Sequence, residues 1–356
     1  MQQAPTIRKS LLRWFREEAR DLPWRKSRDP YHIWLSEVLL QQTRVDQGLP
    51  YYERFLKALP TLPDLAAASE DDVLKLWEGL GYYTRARNLH KAARQIMEQH
   101  DGRLPDRVEV LQLLPGVGRY TAGAIASIAF GEQVPVVDGN VKRVLTRLFN
   151  IAQPIEDSAT EKKLWAIADS LVPANDPGDF NQGMMELGAR ICTPKKPDCG
   201  SCPIQSECGA YKRNIQEKRP VRRPKKAVPH KDIVVAVILR DGKYLIGKRG
   251  TEGMLAGLWE FPGGKMEAGE THEEALRREC EEELGVEVKV GGMIASVRHA
   301  YTHLKVTLGV YRCTILSGKP KSKVHTELKW IGPDEFDDYA FPKANHKFID
   351  LLRTPV

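Results

Sequence analysis

The sequence predicts a multidomain chain, all-α in its first part and α/β in its C-terminal third, and three observations carry that expectation. From Thr6 to about Tyr211, apolar residues recur at helical spacing (Ile7, Leu11, Leu12, Phe15; then Val73, Leu76, Trp77, Leu80), and no strand-like alternation persists. A stretch rich in Lys, Arg and Pro, KRNIQEKRPVRRPKKAVPHK at 212–231, then breaks the pattern with almost no bulky apolar residue. Beyond it the period changes. IVVAVILRDGKYLIGKR is two β-rich runs joined at Asp241-Gly242, a strong short-range hairpin signal, and LKVTLGVYRCTIL is a further strand-like run. The expected organisation is a helical domain over 1–215, an extended basic, Pro-rich linker over 216–231 and an α/β domain over 232–356.

Composition narrows the class of protein. At 356 residues, 42% hydrophobic and 28% charged, the chain is an ordinary soluble globular one with room for two or three domains. The apolar run IVVAVIL at 233–239 is far short of a bilayer span, and MQQAPTIRKSLLRWF lacks a signal peptide's apolar core, so a cytosolic protein without membrane partners is expected. A formal charge of +7 favours a polyanionic partner.

In chain order, the first candidate is Glu37, in IWLSEVLLQQTRV. A helix there places Ile33, Leu40 and Gln41 on its face, and a carboxylate among Trp34, Val38 and Leu40 is partly desolvated. Desolvation favours the neutral carboxyl, the form a general acid needs near pH 7. A surface glutamate on an amphipathic helix is the plainer alternative. Next, LLPGVGRYTAGAIASIAF at 113–130 sets Gly116 and Gly118 just before a small-residue helix; glycines there allow a tight turn that aims N–H groups outward, a geometry suited to phosphate. Asp138, in VPVVDGNVKRVL, stands where a helix begins and reads locally as an N-cap.

Four of the six cysteines, Cys192, Cys199, Cys202 and Cys208, form C-x6-C-x2-C-x5-C, and their thiolates would repel one another unless a cation held them. Tetrahedral zinc and a [4Fe-4S] cluster both suit four thiolates, and ligand softness does not separate them. Lys195 and Lys196 lie inside the loop and would present two cations to a phosphate backbone. Late in the chain, GGKMEAGETHEEALRRECEEELGV carries a capping box (Thr271, Glu274) and a C-terminal stop (Gly285). Between them, Glu279, Glu282 and Glu283 fall at i, i+3 and i+4 on one helical face, where their oxygens can hold Mg2+ against a pyrophosphate, with Arg278 placed to orient a carboxylate.

These strings together resemble known families over nearly the whole chain. The cysteine spacing after a helical domain resembles the cluster loop of the endonuclease III and MutY DNA glycosylases, which implies [4Fe-4S]. LPGVGRYTA resembles the helix-hairpin-helix of that superfamily, and LPWRKSRDPYHIWLSEVLLQQTRV resembles MutY-type adenine glycosylases. On that likeness Glu37 protonates the adenine leaving group, and Asp138 stabilises the oxocarbenium-like charge at C1′. Asn140, Arg25, Gln42 and Tyr82 match positions that contact the duplex, the extruded base or the sugar. Bifunctional relatives carry a lysine nucleophile within the hairpin, where this chain has Tyr120; a phenol cannot form a Schiff base, so a monofunctional glycosylase is expected, with Lys142 available for adventitious adducts.

The C-terminal string fits the Nudix signature G-x5-E-x7-R-E-U-x-E-E-x-G-U without a gap from Gly264 to Val286. GLWEFPGGKMEAGET and FPKANHKF resemble MutT, the 8-oxo-dGTP pyrophosphohydrolase, which implies base contacts for Phe261 and Asn345 and phosphate or metal contacts for Arg249 and Glu327. HAYTHLKV resembles the Phe-Ser-His loop with which MutY reads 8-oxoguanine, with Tyr301, Thr302 and His303 in its place; threonine keeps the hydroxyl, and the aromatic differs. The resemblance implies an adenine DNA glycosylase acting on adenine opposite 8-oxoguanine or guanine in double-stranded DNA. It also implies a monomer of the bacterial cytosol and nucleoid whose C-terminal domain reads the oxidised base and has the residues to hydrolyse 8-oxo-dGTP.

Overall fold

The computed structural model describes residues 2–224 and 227–353. The chain divides into two compact units, one formed by Met1–Ala67 with Lys91–Lys225 and the other by Ala68–His90 with Lys226–Val356. Among the described residues no helix is long and apolar enough to cross a membrane.

The first unit is helical. Helix α1 (Ala4–Glu18) starts with proline in its first turn and buries Ile7, Leu11 and Phe15 at helical spacing. Helix α2 (Pro30–Leu40) is held at its start by Asp29, whose Oδ1 accepts from the amides of Tyr31 (2.8 Å) and His32 (3.2 Å). Every residue from Ile33 to Leu39 is buried, so α2 is a core helix with no solvent face. Helices α3 (Val45–Ala58) and α4 (Leu62–Ala67) complete the N-terminal part. The second unit claims α5 (Glu70–Trp77) and the start of α6 (Thr84–Gln99).

The first unit resumes with α7 (Val108–Leu111), α8 (Arg119–Ala129), α9 (Gly139–Leu148), α10 (Ser158–Leu171) and α11 (Pro177–Arg190). Its core joins Ile7, Leu11, Ala124, Val141, Leu145, Leu164, Leu171, Phe180 and Leu187, each aliphatic burial contributing roughly 1.5–3 kcal/mol. Two close approaches position the site. A Cβ on Gly123 would lie 2.6 Å from the Pro135 carbonyl oxygen, and one on Gly188 would lie 2.6 Å from Asn140 Cβ, so α11 passes directly against the start of α9.

The second unit is built on strands β1 (His230–Arg240), β2 (Lys243–Lys248), β3 (Trp259–Glu260), β4 (Glu287–Ala300), β5 (Lys305–Ser317) and β6 (Glu327–Ile331). The sheet runs β3-β2-β1-β5-β4 with β6 also on β2; β1 and β5 are parallel and the other pairs antiparallel. Asp241 and Gly242, at φ 50° and 73°, make the turn that pairs Arg240 with Lys243. Central strand β1 is buried on both faces. Val234, Ala236 and Ile238 meet helix α12 (His272–Leu284), while Val235 and Val237 meet the aromatic core that includes Phe341 and Phe348 around helix α13 (Lys343–Leu352). The capping box forms at Thr271 and Glu274, and Gly285 ends α12 at φ 67°.

The segment from Ala68 to His90 packs within this unit. Lys75 Nζ donates to the Tyr339 carbonyl (3.0 Å), the Phe341 amide to Glu78 Oε1 (2.8 Å), and Arg87 Nη1 to the Thr251 carbonyl (2.8 Å), while Lys248 pairs with Asp71 at 2.6 Å. These bonds reach helical residues that read in sequence as part of the first half.

The expected extended linker is corrected at both ends. Its early residues pack on the first unit: Arg147 Nε donates to the carbonyls of Gln216 (2.8 Å) and Arg219 (3.1 Å), Ile155 N to Val221 O (3.1 Å), and Arg223 pairs with Asp157 at 2.6 Å. Its last residues, His230 and Lys231, already belong to β1. The reason is backbone: a buried guanidinium needs several acceptors, and linker carbonyls supply two. Lys225 and Lys226 of the linker lie outside the described residues, as do the terminal residues Met1 and Thr354–Val356 of the expected domains.

Candidate active site

In the first unit, Arg25, Glu37, Tyr120, Asp138 and Asn140 line one cavity of about 130 Å³. Four elements deliver them: the turn before α2, α2 itself, α8, and the N-terminus of α9. Glu37 is buried, and the Tyr120 hydroxyl donates to its Oε2 at 2.6 Å. Burial pushes the Glu37 carboxyl up to about 7; the Asp138 charge adds to this, while the Tyr120 hydrogen bond and Arg25 oppose it. Asp138 caps α9: Oδ1 accepts from Val141 N (2.6 Å) and Oδ2 from Asn140 Nδ2 (2.9 Å). Burial raises its pKa as well, and those donors work against the rise by favouring the carboxylate. One cavity therefore holds a carboxyl poised to carry a proton near neutrality and a second whose carboxylate form is favoured, against burial, by hydrogen bonds from Val141 and Asn140.

Sequence reasoning missed the opposite wall, where Gln182, Met185 and Glu186 of α11 and Arg20 and Trp24 complete the lining. The Glu186 side chain is 1% exposed and pairs with Arg20 (2.7 Å) and Arg25 (2.9 Å). Burial opposes its ionisation, but the hydrogen bonds and charges of Arg20 and Arg25 outweigh it and hold the carboxyl at about 2. A lone glutamate in the small and apolar run NQGMMELGA was the available signal.

A continuous hydrogen-bonded path leads from this site to the cysteine loop. Asn140 Oδ1 accepts from Arg143 Nη2 (2.8 Å), Arg143 Nε donates to the Cys192 carbonyl (2.7 Å), and Arg147 Nη1 reaches Cys192 Sγ (3.2 Å) and the Thr193 carbonyl (2.7 Å). Cys192, Cys199, Cys202 and Cys208 are half-buried free thiols. Burial pushes Cys202 up to about 12, and neighbouring thiols add to this. A bound cation is what such a set requires to ionise. Four thiolates in one loop are a donor set that suits a [4Fe-4S] cluster.

Gly116 (φ 75°) and Gly118, the N-cap of α8, form the hairpin turn. Gln42 follows α2 in left-handed backbone (φ 57°) and is exposed. Neither Gln42 nor the hairpin glycines line the cavity.

The remaining candidates lie in the second unit. Tyr82 (φ 52°) hydrogen-bonds through its hydroxyl to that of Thr302, in the loop between β4 and β5. In that loop Tyr301 stacks edge-on against His299, centroids 4.6 Å apart, and His303 is exposed. On α12, Arg278 gathers Glu270 (2.6 Å), Glu279 (3.0 Å) and Glu282 (3.2 Å). Gly264 lets Glu279 approach, since a Cβ there would lie 2.3 Å from its carboxylate oxygen. Glu283 accepts from Gly263 N (3.0 Å), and burial pushes it up to about 7. Arg249 pairs instead with Glu260 (2.5 Å), and Glu327 with Lys329 (3.2 Å). Phe261 is buried among Phe336, Phe341 and Phe348, and Asn345 is buried on α13.

Comparisons with known proteins follow this division. Residues 35–169 match the HhH-GPD superfamily of base excision DNA repair proteins, 192–208 the iron-sulfur binding domain of endonuclease III, and 234–351 the NUDIX domain. The helical fold and its site thus define a DNA-binding N-glycosylase of the base excision repair class, with a [4Fe-4S] cofactor loop and a Nudix domain. Over 98% of its length the chain is 37% identical to the adenine DNA glycosylase of Homo sapiens, covering 74% of that protein, and it is 38% identical to that of Rattus norvegicus over 96%, covering 77%. The chain belongs to the adenine DNA glycosylase family. The solved structure of a thermostable thymine-DNA glycosylase is also similar, at TM-score 0.54 and 32% identity, covering 60% of this chain and 98% of that one.

Proposed function

We propose that the first unit removes adenine from double-stranded DNA in which it is mispaired with 8-oxoguanine or guanine. The observation that carries this reading is the pairing of Glu37 and Asp138 in one cavity with unlike electrostatic surroundings. Adenine is a poor leaving group as an anion, so Glu37 delivers a proton to N7 as the glycosidic bond lengthens. Asp138 faces the positive charge growing at C1′, with Asn140 and the α9 amides fixing its carboxylate. Water completes hydrolysis and leaves an abasic site; Tyr120, which positions Glu37, supplies no amine for strand cleavage. The base reaches the cavity only when flipped from the duplex, with Arg25 at the cavity and Gln42, Gly116 and Gly118 on the DNA. Tyr82 fills space near the extruded nucleotide, and Tyr301, Thr302 and His303 read the opposite 8-oxoguanine. Cys192, Cys199, Cys202 and Cys208 are the cluster's ligands.

The test is single-turnover release of adenine from duplexes carrying adenine opposite 8-oxoguanine, guanine or cytosine. Abasic product from the first two, lost in Glu37→Gln, is expected; no adenine released from any duplex overturns the reading.

A second reading is favoured by the Arg278 cluster, which brings Glu270, Glu279 and Glu282 together. With Mg2+ bound by the Nudix helix, the second unit also hydrolyses 8-oxo-dGTP. Magnesium-dependent turnover that disappears in Glu282→Gln supports it, and absence of turnover rejects it without touching adenine excision.

A further inference from the structure

We propose that Met185 is a positioning residue for the proton that Glu37 delivers: its thioether is a second acceptor for the Tyr120 hydroxyl and so helps keep Glu37 protonated. The inference rests on the reading of Glu37 as general acid. Tyr120 has one hydroxyl hydrogen and two acceptors within reach, Glu37 Oε2 at 2.6 Å and Met185 Sδ at 3.2 Å. The three side chains come from α8, α2 and α11 and meet only in the cavity.

Their proton inventory has three arrangements. When Glu37 is ionised, the phenol hydrogen goes to Oε2 and the thioether receives nothing. When Glu37 is protonated on Oε1, Tyr120 still donates to Oε2, leaving the proton on the oxygen available to a base in the cavity. When Glu37 is protonated on Oε2, it donates to the Tyr120 oxygen, and the phenol hydrogen turns to Met185 Sδ. That last arrangement needs an acceptor at position 185; an aliphatic side chain would leave this half-buried O–H without a protein acceptor. The thioether therefore stabilises the protonated acid and not the carboxylate.

The other ionisable side chains lining the cavity are Arg20, Arg25, Asp138 and Glu186. Asp138 favours the proton on Glu37, Arg25 disfavours it, and Glu186 is held as an anion by Arg20 and Arg25. A sulfur acceptor is weak, so its effect is a fine adjustment of where the acid titrates.

The experiment is the pH profile of single-turnover adenine release for the parent protein, Met185→Leu and Met185→Gln, each with and without Tyr120→Phe. A general acid works while protonated, so the rate falls as pH rises through the Glu37 pKa. Met185→Leu should move that fall to lower pH by about half a unit. Met185→Gln, which restores an acceptor oxygen, should move it back. In the Tyr120→Phe background, Met185→Leu should leave the position of the fall unmoved, because no phenol hydrogen remains to be received. A fall that stays in place in Met185→Leu, or one that moves equally without the Tyr120 hydroxyl, overturns the proposal. A parent protein with no such fall overturns the reading of Glu37 itself, so the two failures are distinguishable.

Discussion

At the scale of single residues, the site depends on placing one carboxyl where it prefers to be neutral. Glu37 is raised from an ordinary 4.5 to about 7 by burial, so the folded protein binds its proton more tightly than the unfolded chain does. That contribution to stability is fully present below about pH 4.5 and is lost as pH rises through about 7. At pH 8 the buried carboxylate costs about 3 kcal/mol, and Glu37→Gln should raise the melting temperature at pH 8 more than at pH 5 while slowing adenine release at least about 10³-fold. A thermal melt at both pH values checks the first half. Asp138→Asn separates two roles differently: asparagine still caps α9, so the fold should melt within a few degrees of the parent, while release slows about 10³-fold. Glu37 and Asp138 were legible through the resemblance of their strings to MutY-type glycosylases, since local pattern alone reads them equally well as a surface glutamate and a helix N-cap. Glu186 was not, since its partners Arg20 and Arg25 lie 166 and 161 residues away.

At the scale of elements, the contacts that matter are those a sequence pattern cannot express. The hairpin at Asp241-Gly242 and the capping box at Thr271 follow from short strings, and both are present as written. The packing of 216–223 was not legible, because it is set by what Arg147 needs rather than by what the linker contains. Arg147 is 2% exposed and serves carbonyls of Cys192, Thr193, Pro194, Gln216 and Arg219. Arg147→Ala should strand these acceptors and destabilise the first unit by about 3 kcal/mol or more. The visible absorbance of the iron–sulfur cluster should fade with it, and a variant retaining full absorbance would refute that role. Gly188→Ala tests the α11–α9 approach. The added methyl would meet Asn140 Cβ at 2.6 Å, so it should cost about 1–3 kcal/mol and slow adenine release although Gly188 does not line the cavity.

At the scale of the whole molecule, the division into units does not follow the expected boundary at the linker. Residues 68–90 read as helical, like their flanks, and nothing in their pattern discloses that their partners are Thr251, Tyr339 and Phe341. A chain ending within the linker would leave Lys75, Glu78 and Arg87 without those partners. Such a truncation should show faster amide exchange across α5 and lower thermal stability, as well as weaker preference for 8-oxoguanine over guanine opposite adenine. Unchanged exchange in α5 would mean that the segment holds its fold alone.

That discontinuity bears on biogenesis. During synthesis the stretch from Ala68 to His90 emerges long before Phe341 exists, so the nascent chain carries an unfinished surface through most of its translation. Leu74 and Trp77, which end up fully buried, must be sheltered or kept in provisional contacts until the rest of the second unit has been made. Assembly of the second unit therefore has to wait until Phe341 has been synthesised.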